Sequence, residues 1–116
     1  MDERIEKAFA TANFMATLSN QRRIILEEFN QSLLYYTNGS TFKITPELIS
    51  LVQIAINIGR TTDTVFVDSN SLPVVISDVQ KFFNDITEFY FKACDDYALK
   101  YHNIRTKRRI TDIIEL

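Results

Sequence analysis

His102 and Cys94 are the only histidine and the only cysteine of the sequence, so a search for chemistry starts there. The two lie on one predicted helix, about 12 Å apart by helical rise, too far for a thiol–imidazole dyad. Asp95 and Asp96 flank the thiol and oppose the positive field that a reactive cysteine needs. The plainer reading makes Cys94 an inert small residue beside a core stripe and His102 a surface residue near a helix end. Carboxylates fall close together at Glu27-Glu28, Asp95-Asp96 and Asp85 with Glu88, but adjacent helical residues point apart. Asp85 and Glu88 share a face near a helix start, where negative charge is stabilised without any metal. Glycine occurs only at 39 and 59, so there is no phosphate-cradling loop. No Cys/His spacing suits zinc. Asp68-Ser69-Asn70 opens like a calcium loop but lacks the later glycine and the bidentate glutamate, and it reads as a turn. The sequence therefore predicts no catalytic residue, no cofactor, no metal and no small-molecule substrate, and a non-enzymatic role.

The strongest functional candidate is a basic cluster. Lys100, Arg105, Lys107, Arg108 and Arg109 fall in a stretch without an acid between Asp96 and Asp112, with Tyr97 and Tyr101 close by. Such a cluster can hold phosphates by charge, without reading sequence. Arg22 and Arg23 extend it if the two long helices run antiparallel. The plainer alternative is that the bases complement the negative end of a helix whose start carries Asp78, Asp85 and Glu88. A DNA-reading winged helix is disfavoured, because the helix at 46–58 contains no Lys or Arg.

The elements that position these groups follow from local patterns. Residues 2 to about 34 contain no Gly or Pro and are rich in good helix formers. Ile5, Phe9, Ala12, Met15 or Ala16, Arg22, Leu26, Phe29 and Leu33 follow three-and-four spacing, interrupted at Ser19 to Arg23. Asn38-Gly39 reverses the chain, either as a type I′ hairpin turn between 35–37 and 41–44 or with Gly39 ending the first helix. Thr45 caps and Pro46 opens a helix that runs to Ile58 and stops at Gly59. That helix is apolar nearly all round, which predicts burial on several sides by its own chain or by another subunit. Residues 64–67 and 72–76 read as a β-hairpin about Asp68-Ser69-Asn70-Ser71, with Pro73 at a strand start or edge. Ser77 to Gln80 matches a capping box and opens a long helix to about Arg108. Its stripe is Val79, Phe82, Phe83, Ile86, Phe89, Tyr90, Ala93, Tyr97, Tyr101 and Ile104, a near-heptad spacing. Residues 110–116 read as a short apolar tail.

Composition bounds the whole. The 116 residues suit one domain, and an apolar fraction of 46% with nine Phe and five Tyr can fill a core. A net charge of −2 gives no global field for nucleic acid. No run reaches a membrane span and the N-terminus opens on charge, so no membrane insertion and no secretion are expected. A single cysteine suits a reducing, cytoplasmic setting. The predicted fold is α+β, mainly α: two long helices packed lengthwise, a buried short central helix and one or two small β-hairpins. Each long helix would measure about 45 Å, against a radius of gyration near 13 Å for a compact domain of this size. Their stripes must cover each other or a second copy. A homo-oligomer, with a dimer favoured, is expected through Phe82, Ile86, Phe89, Tyr90, Tyr97 and Tyr101.

Three stretches carry a resemblance: Asn20-Gln21-Arg22-Arg23, Thr41 to Ile49, and Asp68 to Val74. In this order and chain size the sequence resembles a poorly characterised family of small proteins of T4-like marine phages. The resemblance implies a virion-assembly role or a nucleic-acid accessory role, in host cytoplasm or virion, and it transfers no catalytic residue.

Overall fold

The computed structural model describes residues 2–114, and their side chains through residue 106. The chain order is α1 (Glu3–Ser32), β1 (Leu34–Thr37), β2 (Ser40–Lys43), α2 (Pro46–Asn57), β3 (Thr62–Val67), β4 (Pro73–Asp78) and α3 (Val79–Ile114). The fold is mainly α: α1 and α3 are long and packed together, α2 is short, and β1-β2 and β3-β4 are separate two-stranded antiparallel sheets. The contacts divide the chain into two compact units, residues 1–29 with 96–116 and residues 30–95.

The first unit is a helix pair. Leu18 and Ile25 of α1 bury against Ile104 of α3, with Phe14 and Tyr97 packed alongside. Phe29 meets Tyr97, with ring centroids 4.8 Å apart, Glu28 bonds Lys100, and Arg22 lies over Tyr101. Numbers fall along α1 as they rise along α3, so the pair is antiparallel. The seam of α3 is the predicted one. That of α1 is the predicted one only at Phe29: Ile5, Phe9, Met15 and Leu26 of the predicted stripe are exposed. The seam instead follows Phe14, Leu18, Ile25 and Phe29, again at three-and-four spacing. Apolar residues occupy both sides of α1, so periodicity alone does not choose between them.

The second unit is built from two hairpins, α2 and the start of α3. Asn38 (φ 51°) and Gly39 (φ 71°) both take positive φ, the type I′ turn, so of the two readings the hairpin forms. Ile44 N–H donates to Leu33 C=O at 2.8 Å and extends its ladder. Thr45 caps α2, its hydroxyl oxygen accepting from Leu48 N–H at 3.1 Å. Gly59 (φ 89°) ends the helix. Its N–H reaches Ile56 C=O, and Arg60 N–H reaches back to Ala55 C=O, a Schellman pair that satisfies the last carbonyls. In the second hairpin the buried Asp68 accepts through Oδ1 from Asn70 N–H at 2.9 Å and Leu72 N–H at 2.8 Å. The loop is held from within, and Ser71 is placed at φ 62°. The cap of α3 is Asp78, not Ser77: Asp78 Oδ1 accepts from Lys81 N–H at 3.0 Å, while Gln80 bonds Asn84 instead. Both residue types cap well; the hairpin's register decides which one stands at the helix start.

Phe82 centres the core of this unit, its ring 5.3 Å from Phe42, 5.8 Å from Phe66 and 6.3 Å from Tyr35. Ile44, Val52, Ala55, Val74, Ile76, Val79 and Ile86 complete it. The α2 helix is buried on one face only, through Val52 and Ala55, with Leu51, Ile54 and Ile58 exposed. Its own chain thus covers less of it than an all-round apolar helix suggests.

Candidate self-association surface

The six residues predicted to mediate self-association are engaged within the chain. Phe82 and Ile86 lie in the second unit's core, and Phe89 and Tyr90 pack against it. Tyr97 packs on Phe29 and Tyr101, and Tyr101 lies 5.9 Å from the Arg22 guanidinium. Phe82 and Ile86 have no surface to offer a second copy. The predicted stripe is a seam within the chain.

The outward side of α1 offers what those residues do not. Ile5 (47% exposed), Phe9 (60%), Ala12 and Ala16 stand at spacings of four, three and four, all open. At 3.6 residues per turn they lie nearly opposite the Phe14–Leu18–Ile25–Phe29 seam. Met15 and Leu26 flank the open stripe, both exposed. Spacing made these residues visible in the sequence, but only the position of α3 shows that they are left over.

Antiparallel pairing sets Arg22 over Tyr101 and Lys100 beside Glu28, while Arg23 stays paired within its own helix. Arg23 bonds Glu27 at 3.1 Å and Asn20 at 2.7 Å. Lys100 sits between Glu28 at 2.8 Å and Asp96 at 3.0 Å, and hydrogen bonding, to Glu28 first and then Asp96, raises its pKa above the ordinary 10.5. Arg22 is half-buried over Tyr101, its Nε without a hydrogen-bond partner among the described residues. Arg105 is exposed. The side chains of Lys107, Arg108 and Arg109, and those of residues 110–116, lie outside the described residues; the backbone of α3 continues to Ile114, past the predicted helix end near Arg108 and into the predicted tail.

A cleft of about 180 Å³ in the second unit gathers Tyr35, Thr37, Asn38, Ser77, Asp78, Lys81 and Asp85. Burial first, then the charge and hydrogen bond of Asp85, raise the Tyr35 phenol above 10.0. Asp78 is engaged as a helix cap and Asp85 with Tyr35, which leaves one lysine on an open rim and no convergent site. Among the described residues no three or more His, Cys, Asp or Glu side chains gather as a metal site requires. No described helix is long and apolar enough to cross a membrane.

No family model, curated protein or solved structure matches this chain. The functional reading therefore rests on the geometry of its open faces.

Proposed function

We propose that the chain is a non-enzymatic assembly protein that self-associates along α1. The observation that carries this reading is the open stripe Ile5, Phe9, Ala12 and Ala16. Two copies related by a two-fold axis and laid antiparallel set Ile5 against Ala16 and Phe9 against Ala12 of the second copy. Large residues meet small ones, the self-complementarity that an isologous contact needs. A four-residue stripe buries less than the roughly 800 Å² per partner of a standard stable interface. The pairing is therefore reversible and concentration-dependent. A virion or host-cytoplasm setting, implied by the resemblance to small proteins of T4-like marine phages, is part of the same proposal.

Light scattering tests it. Phe9→Glu lowers the mass at a given concentration, while Leu51→Glu, on the open face of α2, leaves it unchanged. The reverse pattern would move the contact to α2 and overturn the reading. The alternative, a nucleic-acid accessory role, draws its support from Arg105 and from Lys107, Arg108 and Arg109. It requires salt-sensitive binding of DNA or RNA that Lys107→Glu with Arg108→Glu abolishes. If binding survives that double change, the alternative is lost.

A further inference from the structure

The second hairpin carries an open strand edge. Pairs along it alternate between residues that exchange backbone bonds and residues whose N–H and C=O point outward. Asp68 N–H donates to Leu72 C=O at 2.9 Å, so the next pair, Val67 with Pro73, is of the outward kind, and so is Val65 with Val75. Two features agree. Pro73 has no N–H to lose at such a position, and Val75 C=O faces away from β3 to accept from Asn38 Nδ2 at 3.2 Å. On β3, then, the N–H and C=O of Val65 and Val67 point away from β4, and among the described residues no other strand pairs with them.

The other strands are better guarded. The outer edge of β4 is met by Asn38 and interrupted by Pro73. The outer edge of β2 is met by Ser69, whose N–H and hydroxyl both donate to Thr41 C=O at 3.0 and 2.6 Å. β1 is four residues long, and Leu34 is half-buried. β3 has no lysine and no proline, the usual edge guards. Its Val65 and Val67 side chains are 54% and 62% exposed, beside an exposed Val75. An edge with free backbone groups and β-branched residues is a template for another strand.

We propose that β3 pairs with β3 of a second copy, antiparallel about a two-fold axis through Phe66. The segment Val65-Phe66-Val67 reads alike in both directions. The two-fold therefore sets Val65 opposite Val67 of the second copy and Val67 opposite its Val65, the outward residues in each case. Each such pair exchanges its N–H and C=O groups, and the exposed valines of both copies lie side by side. Asp63, turned to φ 46°, and Asp68, tied into its own loop, bracket the contact and keep it short. This extends the self-association reading to a second surface. The α1 stripe is not needed for it.

The test uses full-length protein carrying Phe9→Glu, so that failure of this contact and failure of the α1 contact are read separately. Amide exchange at Val65 and Val67 is followed by NMR at low and high protein concentration. The expected result is exchange roughly tenfold slower where roughly nine chains in ten are paired. Val65→Lys with Val67→Lys should remove that concentration dependence while the hairpin's other amide signals stay in place. Exchange at both amides that is fast and independent of concentration overturns the proposal. So does protection that survives the double lysine variant in a folded hairpin. Protection that appears only on adding an unrelated extended peptide assigns the edge to a foreign strand and also overturns it.

Discussion

The two units solve the problem of burial differently. Residues 30–95 close a core of ten buried apolar residues around Phe82 and fix nearly every turn and cap with a named hydrogen bond. The helix pair of residues 1–29 and 96–116 closes on three, Leu18, Ile25 and Ile104, and leaves a second apolar stripe of α1 to solvent. Apolar burial is the main stabilising term of a fold. The first unit has little of it for its length and should open more readily. In the proposed assembly both units lend a surface, the helix pair through a whole apolar stripe and the hairpin unit through the edge of β3.

The largest expected effect falls on the self-sufficient unit. Phe82→Ala removes a ring that contacts three others and should cost about 3–5 kcal/mol, read as a fall in the denaturation midpoint. Leu18→Ala should cost roughly 2–3 kcal/mol, the low end for a buried leucine because an exposed helix pair can relax around the gap. Its signature is regional. Amide exchange should accelerate in the helix pair while residues 30–95 keep their protection. Equal acceleration in both would dissolve the comparison. Gly59→Ala should cost about 1 kcal/mol by thermal melting, since positive φ burdens any side chain at the end of α2.

The mildest effect is on alkaline titration. Tyr35 has a raised pKa in the folded state, so it ionises first in the unfolded chain and favours unfolding above pH 10.0. Lys100 is also raised; its ammonium is held by Glu28 and Asp96, and that contribution is intact below 10.5 and lost as pH rises through the higher folded value. Both signs agree, and stability should decline above about pH 10. The slope should become shallower in Tyr35→Phe within the second unit, and less so in Lys100→Met, whose bonds lie in water.

The same contrast governs how much was legible in the sequence. In the second unit the signals are local: Asn38-Gly39, Thr45 before Pro46, and Gly59 each dictate backbone geometry through their own chemistry, and the structure follows them closely. The α3 seam was legible too, because its apolar residues, Phe91 and Leu99 excepted, lie on one face. The α1 seam was not, since Phe14, Leu18 and Ile25 compete with Ile5, Phe9 and Met15, and only a tertiary partner chooses between them. For the same reason, large apolar residues such as Phe82 and Ile86, candidates for self-association by sequence, are buried in the chain's own core. The best core formers are the first to be used within the chain. The setting of Arg22 and Lys100 was hidden likewise, because Tyr101 reaches Arg22 and Glu28 reaches Lys100 only when the helices pair.

Sedimentation equilibrium of the unmodified chain over a wide concentration range decides whether copies associate. The mass should rise reversibly from 13.5 kDa to at least double with concentration. A mass of one chain at every concentration would contradict it.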